Sequence, residues 1–118
     1  MIQGTVTTDG VPTVSLAVGG KTWTATIDTG FNGDLELPEA LRPFVKPRFL
    51  APTEWLLAGG QRTIEDTYEV EFSFDGEILA AEATFVPDDS ILIGTGLMNQ
   101  YRLTIDFVAG TVLLERLI

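Results

Sequence analysis

Apolar and polar residues alternate along most of this chain, which is the pattern of half-buried β-strands rather than of amphipathic helices. The alternation is clearest over residues 14–18, 22–27, 63–74 and 78–86. Shorter apolar or alternating runs cover residues 2–7, 35–37, 91–93, 103–107 and 112–117. The pattern predicts an all-β protein with about seven to nine short strands.

Turn-forming residues separate these runs and predict which strands form hairpins. Gly19-Gly20 and Asp75-Gly76 have the composition of two-residue hairpin turns, in which both residues adopt positive φ. Gly59-Gly60 lies at the tip of a third hairpin, whose arms are residues 55–58 and 63–74. The order of runs and turns therefore predicts that many consecutive strands pair in antiparallel fashion.

Two segments favour helix, and a third favours no regular structure. Residues 39–44 can form one or two helical turns, and residues 97–101 can form a second short helix. Residues 46–53 are predicted to be irregular, because Pro47 and Pro52 cannot donate backbone hydrogen bonds within a central strand.

Composition limits the possible functions. The 118 residues, 45% of them hydrophobic, suit one compact domain over residues 1–118. The chain has no Cys and no His, which removes Cys/His zinc sites, disulfides and His-dependent nucleophiles, and we expect no metal and no cofactor. The net charge of −10 argues against nucleic acid and anionic membranes as partners. No leader-like segment or membrane-spanning run is present, so we expect a soluble cytoplasmic protein.

The predicted strand over residues 22–27 runs directly into Asp28-Thr29-Gly30 and Phe31-Asn32-Gly33. Two glycines and an asparagine favour turn backbone, so we expect the Asp28 carboxylate on a turn at the end of a strand. Taken alone, Asp-Thr-Gly is usually a simple β-turn in which the Asp side chain caps its own backbone. A catalytic interpretation therefore needs support from the rest of the chain.

A second segment has the same organisation. Residues 91–96, ILIGTG, match residues 26–30, TIDTG, in that an apolar strand and one variable position precede Thr-Gly. The repeat indicates internal pseudo-twofold symmetry, with Gly94 at the position that corresponds to Asp28. The second half of the chain then supplies no carboxylate.

These features resemble the retropepsin-like aspartic proteases over nearly the whole chain, through Asp28-Thr29-Gly30, the glycine-tipped hairpin at 57–60 and the ILIG segment at 91–94. The sequence is most similar to the small single-domain aspartyl proteases of bacteria and archaea, through residues 27–33 and 103–107. The resemblance implies a closed β-barrel with one or two short helices and one lobe per chain. It also implies a homodimeric endopeptidase that hydrolyses peptides or proteins, because each chain carries half of the active site.

The resemblance also assigns roles to individual residues. Asp28 is the expected catalytic acid, the Thr29 hydroxyl is expected to brace the paired loops, and Gly30 is expected to form the tight turn. Ala58 and Gly59-Gly60 are expected to form the tip of a flap over the substrate.

Chemistry explains why such a site needs two chains. Peptide hydrolysis by aspartate uses a water molecule between two carboxylates, one ionised as the base and one protonated as the acid. Two Asp28 carboxylates about 3 Å apart would repel by roughly 5 kcal/mol at an effective dielectric constant near 20 if both were charged. We therefore expect the pair to share one proton. The terminal strands, residues 1–6 and 112–118, are expected to pair across the dimer axis, because they would otherwise be open edges.

The segment after ILIG departs from the family pattern. Where the family usually has a larger residue and then Asp or Asn, this chain has Thr95 and Gly96. The Arg and Asn that help to hold the dimer of retroviral relatives are therefore absent. Two alternatives stay open: a catalytically silent module of this fold that binds peptides or dimerises, and a plain β-barrel interaction domain in which Asp-Thr-Gly is only a turn.

The remaining acids and the tryptophans have simpler interpretations. Asp34 and Asp106 are interpreted as turn or strand-edge residues. The acids at 65, 66, 69 and 71 are interpreted as a solvated face rather than as a metal site. Trp23 and Trp55 are interpreted as core or interface aromatics rather than as ligand contacts.

Overall fold

The computed structural model describes all residues from Met1 to Ile118. It has ten β-strands and one 3₁₀ helix, Glu39–Phe44, between the fourth and fifth strands. In chain order the strands are β1 (Ile2–Val6), β2 (Pro12–Val18), β3 (Lys21–Ile27), β4 (Leu35–Pro38), β5 (Arg48–Leu56), β6 (Arg62–Phe74), β7 (Glu77–Val86), β8 (Ile91–Ile93), β9 (Tyr101–Asp106) and β10 (Thr111–Arg116). The predicted all-β class is confirmed. No helix of the structure has the length and hydrophobicity needed to cross a membrane.

All ten strands form one sheet in the order β5-β6-β7-β4-β8-β3-β2-β1-β10-β9. The pairs β3–β8 and β4–β7 are parallel, and the other neighbours are antiparallel. The expected closed barrel is wrong in one respect, because backbone pairing leaves β5 and β9 as free edges. Side chains link distant parts of the sheet instead. The Tyr101 hydroxyl donates to Asp75 Oδ2 at 3.0 Å, and Arg116 of β10 donates to Glu77 of β7.

The glycine-containing turns form as predicted. Gly19 and Gly20 have φ angles of 63° and 76°, and they join β2 to β3. Asp75, at φ 52°, precedes Gly76 in the turn between β6 and β7. Three of these four residues are glycines because L side chains rarely adopt this left-handed backbone region.

Two predictions of local structure are wrong. Residues 46–53 are not irregular, since most of them belong to β5, where Pro52 lies opposite Asp66. Proline is tolerated there because β5 is an edge strand, and one side of its backbone needs no partner. Residues 97–101 do not form a helix. They make tight turns, with the Tyr101 N–H donating to the Met98 carbonyl at 2.9 Å.

The terminal strands are not open edges, which corrects the expectation that they pair with a second chain. Ile2 of β1 lies opposite Leu114 of β10, and β1 also pairs with β2. β10 pairs on its other side with β9. The backbone groups of β1 and β10 are therefore already paired on both sides within the chain.

One hydrophobic cluster of 20 buried residues forms the core. Its members at the centre of the sheet include Ile27 at the end of β3, Leu35 and Leu37 in β4, and Ile91 and Ile93 in β8. Burial of these side chains fixes where the three strands end, and thus where the loops that follow them begin.

Candidate active site

Asp28 directly follows β3, which lies between β2 and β8. Its N–H donates to the Ile93 carbonyl at 2.9 Å, which extends the parallel pairing of β3 with β8 by one residue. The Gly30 N–H donates to Asp28 Oδ1 at 2.9 Å, and the Phe31 N–H donates to the Asp28 carbonyl at 3.2 Å. The carboxylate is thus held on a tight turn at a strand end, as predicted. A plain turn would show the same side-chain contact, so the surroundings must distinguish the two interpretations.

The loop after Asp28 is clamped by the segment that follows β8. Residues 94–96 lie against residues 31–34. The two segments of the predicted internal repeat are themselves adjacent through the pairing of β3 with β8. Three backbone hydrogen bonds join residues 94–96 to residues 31–34: Gly94 N–H to Asp34 O at 3.0 Å, Thr95 N–H to Phe31 O at 2.8 Å, and Gly96 N–H to Gly33 O at 3.1 Å. The Thr95 hydroxyl also donates to the Phe31 carbonyl at 3.3 Å.

This close approach requires glycine on both sides of Thr95. A Cβ at Gly94 would lie 2.0 Å from the Gly33 carbonyl oxygen, and a Cβ at Gly96 would lie 2.4 Å from Asp34 Oδ1. The Asp34 carboxylate is itself fixed, because its Oδ2 accepts the Glu82 backbone N–H at 2.9 Å. Gly96, where the sequence departs from the family pattern, is therefore the residue that leaves room for Asp34. The sequence placed Asp34 at a turn but did not indicate this supporting role.

A cleft of about 530 Å³ lies beside Asp28. Asp28 and Gly30 line it on one side, and Leu57 and Ala58 of the β5–β6 hairpin line it as well. The structure therefore brings the Asp-Thr-Gly loop and the hairpin tip to the same cavity, which a plain turn would not require. This observation favours a functional site over the simple β-turn.

Three of the predicted site residues do not line this cleft. Gly59 and Gly60 are exposed at the hairpin tip, with φ angles of 88° and 84°, and a Cβ at either position would have nothing within 4 Å. Thr29 is exposed and makes no hydrogen bond through its hydroxyl within the chain. These three residues are thus available to contacts from outside the chain.

An aromatic pair connects the hairpin to the Asp28 loop. The rings of Trp55 in β5 and Phe31 lie 5.5 Å apart at an interplanar angle of 56°. A Cβ at Gly33 would lie 2.7 Å from the Phe31 ring and 3.0 Å from the Trp55 ring, so the contact depends on glycine. Both aromatic residues line the cleft. The Trp55 indole N–H is buried and has no hydrogen-bond partner.

Two further acids, Glu36 and Glu65, line the cleft. The sequence did not single out Glu36, and Glu65 was interpreted as part of a solvated face, whereas its side chain is partly buried. Glu36 of β4 lies opposite Thr84 of β7 and Leu92 of β8, so these three side chains form a row across adjacent strands. Burial raises the pKa of Glu36, and the negative charge of Glu65 on β6 raises it further. Asp88 and Asp28 act in the same direction. Sequence periodicity could have found Glu36, because it is the only polar side chain between two buried leucines.

The cleft offers carboxylates but no set of metal ligands. No group of three or more His, Cys, Asp and Glu side chains that could hold a metal ion is present.

No protein-family model matches the sequence, and no curated protein matches it. Solved structures do match. A retropepsin-like aspartic protease from Rickettsia conorii superimposes with a TM-score of 0.66 at 17% identity, over 96% of this chain and 88% of that chain. The Simian Foamy Virus (mac) protease has a TM-score of 0.55 at 22% identity, over 74% of this chain and 91% of that chain. The fold is therefore of the aspartic protease class. Within that class it is retropepsin-like, as the sequence predicts.

Proposed function

We propose that this chain is one subunit of a homodimeric aspartic endopeptidase, with residues 1–118 forming one peptidase domain. The observation that supports this most directly is the position of Asp28, at a clamped strand end in the same cleft as the hairpin tip. Gly94 occupies the corresponding place after β8 and supplies no carboxylate. The second catalytic carboxylate in this proposal is Asp28 of a second copy.

In the proposed reaction, a water molecule lies between the two Asp28 side chains. The ionised carboxylate takes a proton from the water as its oxygen attacks the carbonyl carbon of the peptide bond. The protonated carboxyl group gives its proton to the carbonyl oxygen, so the intermediate is a neutral gem-diol. In its collapse one hydroxyl of the gem-diol gives its proton to the ionised carboxylate as the C=O bond re-forms, and the C–N bond breaks as the protonated carboxyl group gives its proton to the leaving nitrogen. One proton therefore remains on the pair after each cycle.

The backbone of the loop serves this chemistry by fixing the carboxylate. The Gly30 N–H holds Asp28 Oδ1, and the hydrogen bonds from residues 94–96 hold the loop. Preorganised polar groups of this kind do not have to reorient during the reaction. The exposed Thr29 hydroxyl is free to bond to the partner's loop, which is the role expected from the sequence.

The β5–β6 hairpin acts in this proposal as the flap. Ala58 faces the cleft, while Gly59 and Gly60 give the tip its positive φ angles. A tip without large side chains lets backbone amides approach an extended peptide and exclude water. The cytoplasmic location expected from the sequence stays a prediction.

A cleavage assay tests the proposal. The wild-type chain is incubated with an unbiased peptide mixture, with and without an inhibitor that carries a hydroxyl at the tetrahedral carbon, and products are identified by mass spectrometry. We expect cleavage by the wild type, inhibition by the mimic, and no cleavage by Asp28→Asn. Asp9→Asn is the matched control, because Asp9 is exposed on a remote turn, and it should cleave normally.

Two outcomes would contradict the proposal. Full cleavage by Asp28→Asn would show that another group performs the chemistry. Binding of peptides by the wild type without any cleavage would instead support the catalytically silent module.

A further inference from the structure

The cleft beside Asp28 carries charge of only one sign. The ionisable side chains that line it are Asp28, Glu36 and Glu65, and neither Lys nor Arg is among the lining residues. Six acids of the chain have a basic partner, among them Glu39 with Arg42 and Glu69 with Arg48, and none of the six lines the cleft. The acids of the cleft therefore have no counter-charge from the chain itself.

Neither Glu36 nor Glu65 takes part in any ion pair or side-chain hydrogen bond of the chain. Both side chains are partly buried. A partly buried carboxylate without a partner is costly, and a neighbouring carboxylate adds to the cost. The raised pKa of Glu36 reflects the same burial and the same neighbour. A cation placed between these acids would relieve this cost.

The two acids lie on opposite sides of the path that a peptide takes to Asp28. The cation that they attract is therefore a side chain of the substrate. Glu36 lies on the sheet between Thr84 and Leu92, and Glu65 lies on β6, which is the second arm of the flap hairpin. A peptide that reaches Asp28 beneath the hairpin thus passes between an acid on the sheet and an acid on the flap.

We propose that this cleft selects peptides with a Lys or Arg side chain close to the scissile bond, and that Glu36 and Glu65 bind its cationic end. The inference rests on the proposed endopeptidase function and adds the substrate class. Because the dimer is symmetric, each half of the cleft offers the same pair of acids. Basic side chains are then accepted on either side of the scissile bond.

The test uses pairs of peptides that are identical except for Lys or norleucine beside the cleavage site. Norleucine keeps the aliphatic chain of Lys but lacks the ammonium group. We expect kcat/KM to be about tenfold higher for the Lys peptide, which is the effect of one hydrogen-bonded charge. The preference should decrease in high salt, because the cleft is open to solvent.

Variants then show which side chains cause the preference for Lys over norleucine. Glu36→Gln and Glu65→Gln should each lower the Lys-to-norleucine ratio toward one. Glu115→Gln removes the same charge from β10, outside the cleft, and should keep both the ratio and the basal activity. If a cleft variant fails to fold, the wild-type ratio and its salt dependence still decide the question.

Failure of the inference is distinguishable from failure of the proposed function. Cleavage of both peptides at equal rates, or a preference for norleucine, would overturn the substrate class and leave the peptidase intact. Absence of all cleavage would overturn the proposed peptidase activity. Binding of the same two peptides, measured by fluorescence anisotropy, would then test the preference for a basic side chain on its own. Tighter binding of the Lys peptide would support the acidic cleft, whereas equal binding would overturn it.

Discussion

Substitution of Gly94 by Ala tests whether the segment after β8 holds the Asp28 loop. The new Cβ would lie 2.0 Å from the Gly33 carbonyl oxygen and 2.8 Å from the Phe31 carbonyl oxygen. Both contacts are with backbone, so no side-chain rotation can relieve them. The loop has to move away, and the hydrogen bonds of Gly94, Thr95 and Gly96 to this loop are then stretched or lost.

The expected loss of stability follows from the number of those hydrogen bonds. Three backbone hydrogen bonds at about 1 kcal/mol each predict a loss of about 3 kcal/mol in the free energy of unfolding. This is a large fraction of the roughly 5–15 kcal/mol that holds a typical domain together. For a chain of this size it corresponds to a decrease in Tm of roughly 10 °C.

Gly110→Ala is the matched control. Gly110 has a φ angle of 71° and nothing within 4 Å of its Cβ position, so the substitution there introduces backbone strain without overlap. We expect a cost of about 1 kcal/mol, since this is the usual penalty of the left-handed region for an L residue. Urea and thermal unfolding of both variants give the comparison. If Gly94→Ala were no less stable than Gly110→Ala, the clamp would not exist as described.

Three further predictions follow from the site and from the sheet. Gly60→Val should lower kcat while thermal unfolding shows an intact fold, because Gly60 is exposed at φ 84° with open space around it; an unfolded variant would show that the hairpin tip is structural. Burial and the hydrogen bond to Asp75 raise the pKa of Tyr101 to about 12, so the free energy of unfolding should fall as pH increases from the ordinary value near 10 to 12. Tyr101→Phe should cost about 1 kcal/mol at neutral pH and flatten that alkaline decrease; an unchanged pH profile would contradict the assignment. Peptidase activity should be highest below neutral pH and decrease as the Asp28 pair loses its shared proton; a rate that rises steadily to alkaline pH would exclude the two-carboxylate mechanism.

Local signals in the sequence were sufficient for most strands and for the hairpin turns. The alternation in β2, β3, β6 and β7 fixes which side of each strand is buried, and the glycine pairs mark the hairpins. These features depend only on neighbouring residues. The confirmed fold rests on them.

The wrong predictions for β5, for the terminal strands and for barrel closure all concern which strands lie side by side in the sheet. Pro52 argues against a strand unless that strand is at an edge, and edge position is a property of the whole sheet. The terminal strands looked unpaired because nothing in residues 2–6 indicates that residues 111–116 lie beside them. Closure of the barrel is likewise a long-range property.

The candidate site could be predicted only in part, because several of its residues come together from distant parts of the sequence. Asp28 is marked by a local motif, whereas Glu36 and Glu65 come from different strands, and only the fold brings them to one cleft. The tight fit of Gly96 against Asp34 also depends on a contact between residues far apart in sequence. No spacing within either segment encodes that contact.

Mixing wild-type chains with Asp28→Asn chains tests most directly the claim that each active site uses one Asp28 from each of two copies. The total concentration is kept constant, subunits are exchanged fully, and native mass spectrometry of isotope-labelled chains verifies that hybrid dimers form. In an equal mixture, only about a quarter of randomly assembled dimers contain two Asp28 carboxylates, so activity should fall to about a quarter of the wild-type value. Activity that falls only to about one half would mean that each chain works alone, for example by pairing Asp28 with Glu36, and would contradict the account.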